Sequence, residues 1–284
     1  MIDPAISVVI AVRNGMPFLE DQLGALAAQR TQRRWELVVA DNGSTDASAE
    51  VARSWLALEG DVPVTVVDAS ARRGPAAARN EGVRHSSATL LCFCDADDVV
   101  EPGWLEALSR SLADTDVVAG SFEMGSLNGG PRTEPSPAVT RQLGQIPAGL
   151  AANLGVRRSA FEQVGGFDED LEVGEDIDLC WRLQLAGFTF SLAPAAVVAK
   201  RDRSTPGQAF RQGIAHGKSG PGLYKRHRKS GIRPDLRVAA TSWAWLLVNA
   251  FRIYRPDWRT RWSRVAGVRI GRILGSIENR VFFP

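Results

Sequence analysis

Over its first third, the chain alternates short apolar runs with segments of helical periodicity. The apolar runs predict strands at Ile6–Val12, Glu36–Ala40, Val62–Val67 and Ala88–Cys94. The segments between them predict helices at Pro17–Arg30, Ala47–Leu58 and Pro75–His85. Strands this uniformly apolar are typical of a parallel sheet that is covered on both faces. Repeated strand–helix units therefore predict an open, twisted α/β sheet.

The rest of the chain is less regular. Its predicted elements are, in chain order, a loop at Gly125–Pro147, helices near Ser159–Val164 and Asp176–Ala186, and strands at Phe188–Leu192 and Ala195–Ala199. The segment Lys200–Gly222 is rich in glycine, proline and basic residues, so it is expected to be mobile. The apolar spacing after Leu236 predicts a helical tail.

Charge is distributed unevenly along the 284 residues, although the net charge is only +2. From Lys200 onward there are 19 Lys and Arg residues against 4 Asp and Glu, whereas the preceding part has 15 against 28. The basic tail, with its tryptophans, is typical of amphipathic helices that lie on an anionic membrane surface. The alternative is a helical pair that packs on the rest of the chain or forms a homodimer. Nucleic acid is not expected as a partner, because no recognised binding motif accompanies the charge.

Cysteine usage and the N-terminus indicate a cytoplasmic protein. Cys92 and Cys94 are two residues apart, on one face of a predicted strand, and are interpreted as small buried thiols in a reducing compartment. The N-terminus lacks a secretory pattern, and the tail has no apolar stretch that could span a membrane. Arginine outnumbers lysine 30 to 4, which suggests a bacterial genome rich in GC. A peripheral position on the inner face of the plasma membrane would agree with the tail.

Polar residues follow several of the predicted strands. Arg13 follows the first strand, Asp41 the second and Asp95 the fourth. Ligands of open α/β sheets bind beyond the carboxyl ends of the strands. These side chains are therefore expected to converge on one crevice.

Two acidic groups and one arginine have the chemistry of a site. The cluster Asp95-Ala96-Asp97-Asp98 follows a buried strand, and such grouped carboxylates favour Mg²⁺ or Mn²⁺, although a helix N-cap cluster is an equal alternative. Glu175 and Asp176 precede an apolar helix, where they could supply a general base or only favour the helix dipole. Arg79, on a helix that follows a glycine turn, could bind phosphate or simply be solvated.

The order of these pieces carries more information than any one of them. In chain order they are Ser7-Val8-Val9-Ile10-Ala11-Val12-Arg13-Asn14, Val38-Val39-Ala40-Asp41-Asn42-Gly43-Ser44-Thr45-Asp46, Ala78-Arg79-Asn80-Glu81-Gly82, Cys94-Asp95-Ala96-Asp97-Asp98, Val164-Gly165-Gly166-Phe167-Asp168-Glu169 and Gly174-Glu175-Asp176-Ile177-Asp178-Leu179. From about Ile6 to Ala199 the chain resembles glycosyltransferase family two. The resemblance implies the GT-A fold, a Rossmann-like, mostly parallel twisted sheet flanked by helices. The helical C-terminal extension is not covered.

The resemblance also implies a role for each matching residue. Nucleotide binding would fall to Val12, Arg13, Asp41, Arg79 and Asp95, metal binding to Asp95 and Asp97, and catalysis to Asp176 as general base, supported by Glu175. The family inverts the anomeric centre in a single displacement. Mn²⁺ or Mg²⁺ would stabilise the charge that develops on the leaving diphosphate.

Two departures from the family pattern modify this expectation. Many relatives carry a histidine after the strand at Ala195–Ala199, where this chain has Lys200. A charged lysine cannot ligate a metal, so Lys200 is hypothesised to pair with the diphosphate and to weaken metal binding. The alternatives are an error of register in the match to the family pattern, or a plain surface lysine. The chain also lacks the Gln-x-x-Arg-Trp pattern that processive synthases carry, and has Cys180-Trp181-Arg182-Leu183 instead. It is therefore expected to add a single sugar.

The expected activity is that of a hexosyltransferase-type glycosyltransferase. It would move a sugar from a nucleotide-sugar donor, with a UDP-sugar favoured, to an acceptor hydroxyl on a lipid-linked or cell-envelope glycan. Residues 1–120 would bind the nucleotide sugar, residues 121–205 would hold the acceptor and the catalytic base, and residues 206–284 would form the basic helical extension. The alternatives are a nucleotidyltransferase and a non-catalytic protein that binds nucleotide sugars on the same fold.

Overall fold

A computed structural model describes residues 5–55, 62–140, 146–202, 205–234 and 236–284, without the side chains of residues 256 and 257. The chain forms two compact units. The first, called the sheet unit, comprises Met1–Val139, Ala148–Asp170 and Glu175–Arg201. The second, called the helical unit, comprises Thr140–Pro147, Leu171–Gly174 and Asp202–Pro284.

The sheet unit is built around one nine-stranded sheet of mixed direction. The strands of the chain are β1 (Ile6–Val12), β2 (Trp35–Asp41), β3 (Val64–Asp68), β4 (Leu90–Asp95), β5 (Val99–Val100), β6 (Val117–Glu123), β7 (Ser136–Pro137), β8 (Val139–Thr140), β9 (Ala148–Gly149), β10 (Asn153–Arg157) and β11 (Phe190–Ala199). The large sheet has the order β3-β2-β1-β4-β10-β6-β11-β5, with β7 paired to β6. Strands β8 and β9 form a separate pair.

The first four strands of the sheet are parallel, as predicted. β1 lies between β2 and β4, and β3 pairs with the outer side of β2. The side chains of β1, β2 and β4 are buried along most of their length because helices cover the sheet, whereas the outer strand β3 is mostly half-buried or exposed. The register places Val12 opposite Asp41, and Ala11 opposite Asp95. The carboxyl ends of these strands therefore meet at one edge.

The second part of the sheet differs from the sequence-based expectation. β6 and β10 were not predicted, and β10 is antiparallel to both of its neighbours, β4 and β6. The prediction of two strands at Phe188–Leu192 and Ala195–Ala199 is wrong, because β11 is one strand from Phe190 to Ala199. Its register against β6 shifts between Leu192 and Val197, which explains why the apolar pattern is interrupted there.

In the sheet unit, helices pack on the sheet. Other helices form most of the helical unit. They are α1 (Leu19–Ala27), α2 (Ser48–Trp55), α3 (Pro75–Arg84), α4 (Trp104–Ser111), α5 (Arg158–Gln163), α6 (Glu175–Leu185), α7 (Pro206–His227), α8 (Leu236–Val248) and α9 (Pro256–Asn279). The predicted end of α2, at Leu58, lies outside the described residues. The three cysteines are buried free thiols, as expected from the sequence.

Helix α7 corrects the prediction that Lys200–Gly222 is mobile, because most of that segment is helical. Its glycines form a seam against α9: a Cβ at Gly213 or Gly217 would lie 2.4 or 2.3 Å from a carbonyl oxygen of α9. The facing Gly267 and Gly271 are equally tight against α7. None of the helices in the described parts of the chain is both long enough and apolar enough to cross a membrane.

Candidate active site

The turn after β4 brings three carboxylates together. Single oxygens of Asp95, Asp97 and Asp98 all lie within 4.8 Å of one another. The side chain of Gln22 holds this turn in place. Its Nε2 donates to the Asp95 carbonyl at 3.0 Å, and its Oε1 accepts from the Val100 amide at 3.0 Å. A buried glutamine with both ends satisfied fixes the turn, so the carboxylates project from a rigid support.

Lys200, at the end of β11, reaches into this carboxylate cluster. Its Nζ donates to Asp98 Oδ2 at 2.7 Å and to Asp95 Oδ2 at 3.3 Å. Asp98 is fully buried and also accepts from the Arg201 amide at 2.8 Å. Burial raises the pKa of Asp98 to about 7, although Lys200 opposes the shift. Burial works against the charge of Lys200 itself, but Asp95 and Asp98 outweigh it and raise the pKa of Lys200 above its ordinary value.

Arg79 joins the carboxylate cluster to the start of α6. Its Nη2 donates to Asp95 Oδ1 at 2.9 Å, and its Nη1 donates to Glu175 Oε1 at 2.7 Å. The guanidinium is buried and stacks over Phe167, 5.6 Å from the ring centroid. Burial would raise the pKa of Asp95, but Lys200 and Arg79 outweigh it and hold that pKa below its ordinary value. Arg79 therefore brings together two acidic motifs that are far apart in sequence.

Local packing explains why Arg79 is in this position. Helix α3 lies close against β1 and β2 because Gly82 has no side chain: a Cβ there would be 2.6 Å from Val9 and 3.5 Å from Ala40. Gly74, with φ of +125°, turns the chain into the helix, and Pro75 follows at the first helical position. The amide of Gly74 donates to Asn42 Oδ1 at 2.9 Å.

Asp176 lies one residue beyond Glu175, in the first turn of α6. Its Oδ2 accepts from the Ala151 amide at 3.1 Å, and its Oδ1 accepts from the Ile177 amide at 2.8 Å. The side chain is partly exposed. Burial first, and then the charge of Glu175, raise the pKa of Asp176 to about 7, against the opposing effect of these hydrogen bonds and of Arg79. A carboxylate of this kind can exchange a proton near neutral pH.

The ends of β1 and β2 form the other side of the edge. Val12 is buried opposite Asp41, whose Oδ1 accepts from the Ser44 amide at 3.1 Å, and Arg13 is exposed. Asn14 has a φ of +53° and accepts from the Thr45 amide at 2.8 Å, which connects the two loops.

The structure thus arranges the predicted residues in two groups. Asp95, Glu175, Arg79 and Lys200 are linked by direct contacts, and Asp176 follows Glu175 in the chain. Val12 and Asp41 are neighbours in register on the adjacent strands.

Two buried residues had no role assigned from the sequence. Asp98 pairs with Lys200, and its only sequence signal was its place in the same acidic motif. Asn42 donates to the carbonyls of Ala69 and Arg72, at 2.5 and 2.8 Å, and so anchors the loop before α3. An asparagine directly after a strand-end aspartate gave no signal of this bracing function.

The carboxylate cluster has the donor chemistry of a site for a hard divalent cation. Asp97 makes no side-chain hydrogen bond or ion pair with the residues that the structure describes, so its oxygens can serve as ligands. Both oxygens of Asp95 and Asp98, in contrast, already accept hydrogen bonds. The residues fit a divalent cation through Asp97 and Asp95, with Lys200 as a cation that competes for the same carboxylates.

Sequence models of two protein families match the part of the chain that forms most of this sheet edge. The sequence model of glycosyl transferase family 2 matches residues 7–167, and that of the glycosyl transferase family group 2 matches residues 90–258. The chain belongs to glycosyl transferase family 2. The match to the family 2 model begins within β1 and includes Asp41, Arg79 and the carboxylate cluster.

Curated relatives agree with membership of family 2. Glycosyltransferase AglE of Haloferax volcanii is 30% identical over 198 residues, which are 67% of this chain and 64% of the relative. The pre-mycofactocin glycosyltransferase of Mycobacterium tuberculosis is 30% identical over 262 residues, 86% of this chain and 52% of the relative. The chain thus spans about half to two thirds of the length of these two relatives.

Solved structures show that this family 2 chain has the GT-A fold, as predicted. Mannosyltransferase PcManGT from Pyrobaculum calidifontis, in complex with GDP-Man and Mn²⁺, has a TM-score of 0.67 and 19% identity; the similarity covers 99% of this chain and 88% of PcManGT. Staphylococcus aureus TarS 1-349, in complex with UDP-GlcNAc, has a TM-score of 0.56 and 15% identity, with coverage of 98% and 93%. At these identities the similarity concerns the fold alone.

Proposed function

We propose that the protein is an inverting, hexosyltransferase-type glycosyltransferase that moves one sugar from a nucleotide-sugar donor to an acceptor hydroxyl. The observation that carries the proposal is Arg79, which contacts Asp95 at the end of β4 and Glu175 at the start of α6. One buried cation thereby holds the end of β4, where the donor diphosphate would bind, to the first turn of α6, where Asp176 would accept a proton. A displacement at an anomeric carbon needs these two functions side by side.

The donor would lie along the carboxyl ends of β1, β2 and β4. Val12 and Arg13 would line the nucleotide base, and Asp41, already oriented by Ser44, would accept a hydrogen bond from it. Of the two solved structures with a similar fold, PcManGT carries GDP-Man and TarS 1-349 carries UDP-GlcNAc. Among these donor classes we favour a UDP-sugar, with a GDP-sugar as the competitor to test.

The diphosphate would be neutralised by cations around Asp95 and Asp97. Mn²⁺ or Mg²⁺ held by these two carboxylates would stabilise the charge that develops on the leaving diphosphate. Lys200 contacts Asp95 in the same cluster, so its ammonium can contribute to that neutralisation. A metal then has to compete with Lys200, and we expect weak metal binding.

Asp176 would be the general base. Its raised pKa, about 7, means that it can take the proton of the acceptor hydroxyl as the new bond forms near neutral pH. Glu175 is held by Arg79 and contributes to that raised pKa, so it would position and tune Asp176 without itself reacting. No covalent intermediate on the enzyme is required.

A donor screen tests the proposal and separates it from the alternatives. The full chain would be incubated with UDP-, GDP- and dTDP-sugars, with and without Mn²⁺, and both thermal shift and donor hydrolysis would be measured. A glycosyltransferase stabilised by a UDP-sugar should slowly release UDP. A nucleotidyltransferase should instead release pyrophosphate from a nucleoside triphosphate and a sugar phosphate. Stabilisation by donors with no turnover, even with candidate acceptors, would indicate a non-catalytic binding protein.

The acceptor is proposed to be lipid-linked, because the helical unit presents a face suited to a membrane surface. At the end of α8 and directly after it, apolar side chains are strongly exposed: Leu247, in the last turn of α8, is 77% and Tyr254 is 83% exposed, and Phe251 lies between them in sequence. Trp245 and Trp258 of the same unit stack on each other, with ring centroids 6.1 Å apart. Apolar and aromatic side chains of this kind insert into the headgroup region of a bilayer.

Charge complementarity favours an anionic bilayer over a neutral one. Residues 236–284 contain nine arginines but only one Asp and one Glu. Arg252 stacks over Trp258 at 4.3 Å and over the exposed Phe251 at 5.5 Å, so this cation lies beside an exposed apolar side chain. Arg261 stacks over Trp245 at 5.3 Å. Each basic residue near an anionic surface contributes about 1 kcal/mol of binding free energy. We therefore place the enzyme peripherally on the cytoplasmic face of a bacterial plasma membrane.

A further inference from the structure

The loop after β6, residues 124–133, lies at the same edge of the sheet as the carboxylate cluster. β4 and β6 are both antiparallel to β10, so their carboxyl ends point the same way. β11 is the parallel neighbour of β6, and Lys200 directly follows β11. This loop, called the β6 loop, therefore begins beside the lysine that contacts the carboxylate cluster.

Glu123, the last residue of β6, holds the two ends of the β6 loop together. It is fully buried, and its Oε1 accepts from the Gly125 amide at 2.6 Å and from the Thr133 amide at 2.7 Å. The Ser126 hydroxyl donates to its Oε2. Burial works to raise the pKa of Glu123, but the hydrogen bonds from Ser126, Thr133 and Gly125 outweigh it and lower that pKa to about 2. A carboxylate that is charged at neutral pH thus fixes the loop in one conformation.

Lys200 is held both at its backbone and at its ammonium group. Its amide donates to the Glu123 carbonyl at 2.8 Å. Its carbonyl accepts from Asn128 Nδ2 at 2.8 Å, and the same Nδ2 donates to the Met124 carbonyl at 2.8 Å. The ammonium lies over the ring of Phe122, 5.5 Å from the centroid, where the face of an aromatic ring attracts a cation. Residues 122–128 therefore fix Lys200 on both sides of its Cα and at its tip.

This support makes Lys200 different from a solvated surface lysine. A lysine side chain normally loses rotamer entropy when it is ordered at a binding site. Here the ammonium already donates to Asp95 and Asp98, so the ordering takes place when the chain folds. A divalent cation that binds the same carboxylates must therefore displace an ammonium that is already in position.

We infer that the β6 loop is a positioning element for Lys200, with Asn128 as its positioning residue. The loop sets the balance between the ammonium of Lys200 and a divalent cation at Asp95. It thereby sets how far sugar transfer depends on the metal. This last consequence rests on the proposed function, whereas the hold on Lys200 does not.

Mn²⁺ binding measures the hold on Lys200 without any sugar donor. The full chain would be titrated with Mn²⁺, followed by electron paramagnetic resonance, as wild type, Asn128→Ala, Lys200→Met and the double variant. Asn128→Ala should lower the Kd for Mn²⁺ by about threefold, a small effect for one hydrogen bond, because a loosened ammonium is displaced more easily. In the Lys200→Met background the same change should leave the Kd unchanged, because no ammonium remains to be positioned.

Asn279→Ala is the matched control for Asn128→Ala. Asn279 also donates from Nδ2 to a backbone carbonyl, that of Gly275 at 2.9 Å, but it belongs to the helical unit. This variant should keep the wild-type Kd for Mn²⁺. Glu123→Gln, which loosens the whole β6 loop, should shift the Kd in the same direction as Asn128→Ala.

Amine labelling follows Lys200 directly and needs no metal. The lysines of the chain are at positions 200, 218, 225 and 229, so mass spectrometry can follow the acetylation of each. The ion pairs with Asp95 and Asp98 protect Lys200, because only a neutral, accessible amine reacts. Asn128→Ala should increase the labelling rate of Lys200 by about threefold, the same effect of one hydrogen bond. The exposed Lys225 should react at the wild-type rate and serves as the internal standard.

A purely structural role of the β6 loop gives different results. If Asn128→Ala lowers the melting temperature but changes neither the Kd for Mn²⁺ nor the labelling of Lys200, the loop does not position Lys200 and the inference is wrong. An equal shift of the Kd in the wild-type and Lys200→Met backgrounds also overturns it, because the loop would then act on the carboxylates without Lys200. Failure of the proposed sugar transfer would appear separately, as a lack of donor turnover, and would leave both readouts intact.

Discussion

At the scale of single residues, Asp176 gives the most direct test of the proposed chemistry. Replacement by Asn keeps the shape and removes the base, so kcat should fall by about 10²- to 10⁴-fold while donor affinity changes little. The pKa of Asp176, raised to about 7, predicts that wild-type kcat increases as the pH rises through that value, because only the deprotonated carboxylate accepts a proton. Steady-state rates from pH 5.5 to 8.5 measure both effects (a range about 1.5 units either side of that value).

The matched control for Asp176→Asn is Asp114→Asn, which removes an exposed carboxylate after α4 and should leave both kcat and its pH profile unchanged. If Asp176→Asn retains the wild-type kcat, or loses activity but keeps the same pH profile, then another group is the base.

Lys200 gives a prediction about metal binding that does not require turnover. Its Nζ holds Asp98 and Asp95, so Lys200→Met should release these carboxylates and lower the Kd for Mn²⁺ by about tenfold, the equivalent of one charged hydrogen bond. The free Mn²⁺ signal in electron paramagnetic resonance measures this without any sugar donor. In saturating Mn²⁺ the variant should still be slower than the wild type, because the ammonium next to the diphosphate is lost.

Lys218→Met is the control for the loss of one positive charge, because Lys218 is paired with Glu278 in the helical unit. Equal Kd values for Mn²⁺ in Lys200→Met and wild type, together with unchanged kinetics, would reduce Lys200 to a structural ion-pair partner of Asp98.

The sequence motifs predicted which residues belong to the candidate site, but not which cations balance the charges of its carboxylates. Asp95, Arg79 and Glu175 were proposed from motif order, and the structure links them directly. The Asp98–Lys200 pair could not be predicted, because it depends on β11 ending beside the turn after β4. That neighbourhood follows from tertiary packing and leaves no periodic signal in the sequence.

At the scale of elements, the α7–α9 seam predicts an asymmetry between two glycines of one helix. A Cβ at Gly217 would lie 2.3 Å from the Val268 carbonyl and 2.9 Å from the Gly271 Cα, so Gly217→Ala should destabilise the helical unit by about 1–3 kcal/mol. At Gly207, in the first turn of α7, an added Cβ would meet no atom within 4 Å. Gly207→Ala should be neutral, or stabilising by up to about 1 kcal/mol.

Thermal and chemical unfolding of the two variants, followed by circular dichroism, checks this prediction. Equal stability of Gly217→Ala and Gly207→Ala would mean that the helices separate enough to accept a methyl group, and that the seam is loose.

The seam between α7 and α9 also explains why Lys200–Gly222, most of which is helical, was wrongly predicted to be mobile. Each glycine in a helix costs about 1 kcal/mol relative to alanine, so the sequence of α7 favours a mobile segment when it is considered alone. Close contact with α9 compensates, because the absent side chains let the two backbones approach. Strands β1, β2 and β4, in contrast, were predictable because each is mostly a run of apolar residues. β10 begins with Asn153 and contains Gly155, so its pattern does not differ from that of a loop.

At the scale of the whole molecule, the exposed apolar face after α8 predicts binding to anionic membranes. The full chain should float with vesicles that contain phosphatidylglycerol and not with pure phosphatidylcholine, and salt should weaken the binding. Phe251→Glu combined with Tyr254→Glu should abolish flotation without unfolding the protein, because both side chains are exposed. Leu185→Glu, at an exposed apolar position of α6, is the control and should float normally.

Flotation of the double variant equal to that of the wild type would contradict the membrane face. Light scattering gives the competing outcome: if the double variant converts a dimer into a monomer and vesicles never bind the wild type, the exposed side chains belong to a contact between two copies.

The position of β10 has a consequence for how the protein is made. This strand lies between β4 and β6 although it follows both in the chain. Asn153 then joins the surrounding elements: its amide donates to the carbonyls of Ser121 and Ala196, and its oxygen accepts from Trp104. During synthesis on the ribosome, one backbone edge of β4 therefore stays unpaired until Arg157 has been synthesised. A fragment that stops before β10 would keep this edge open, and it should aggregate during expression.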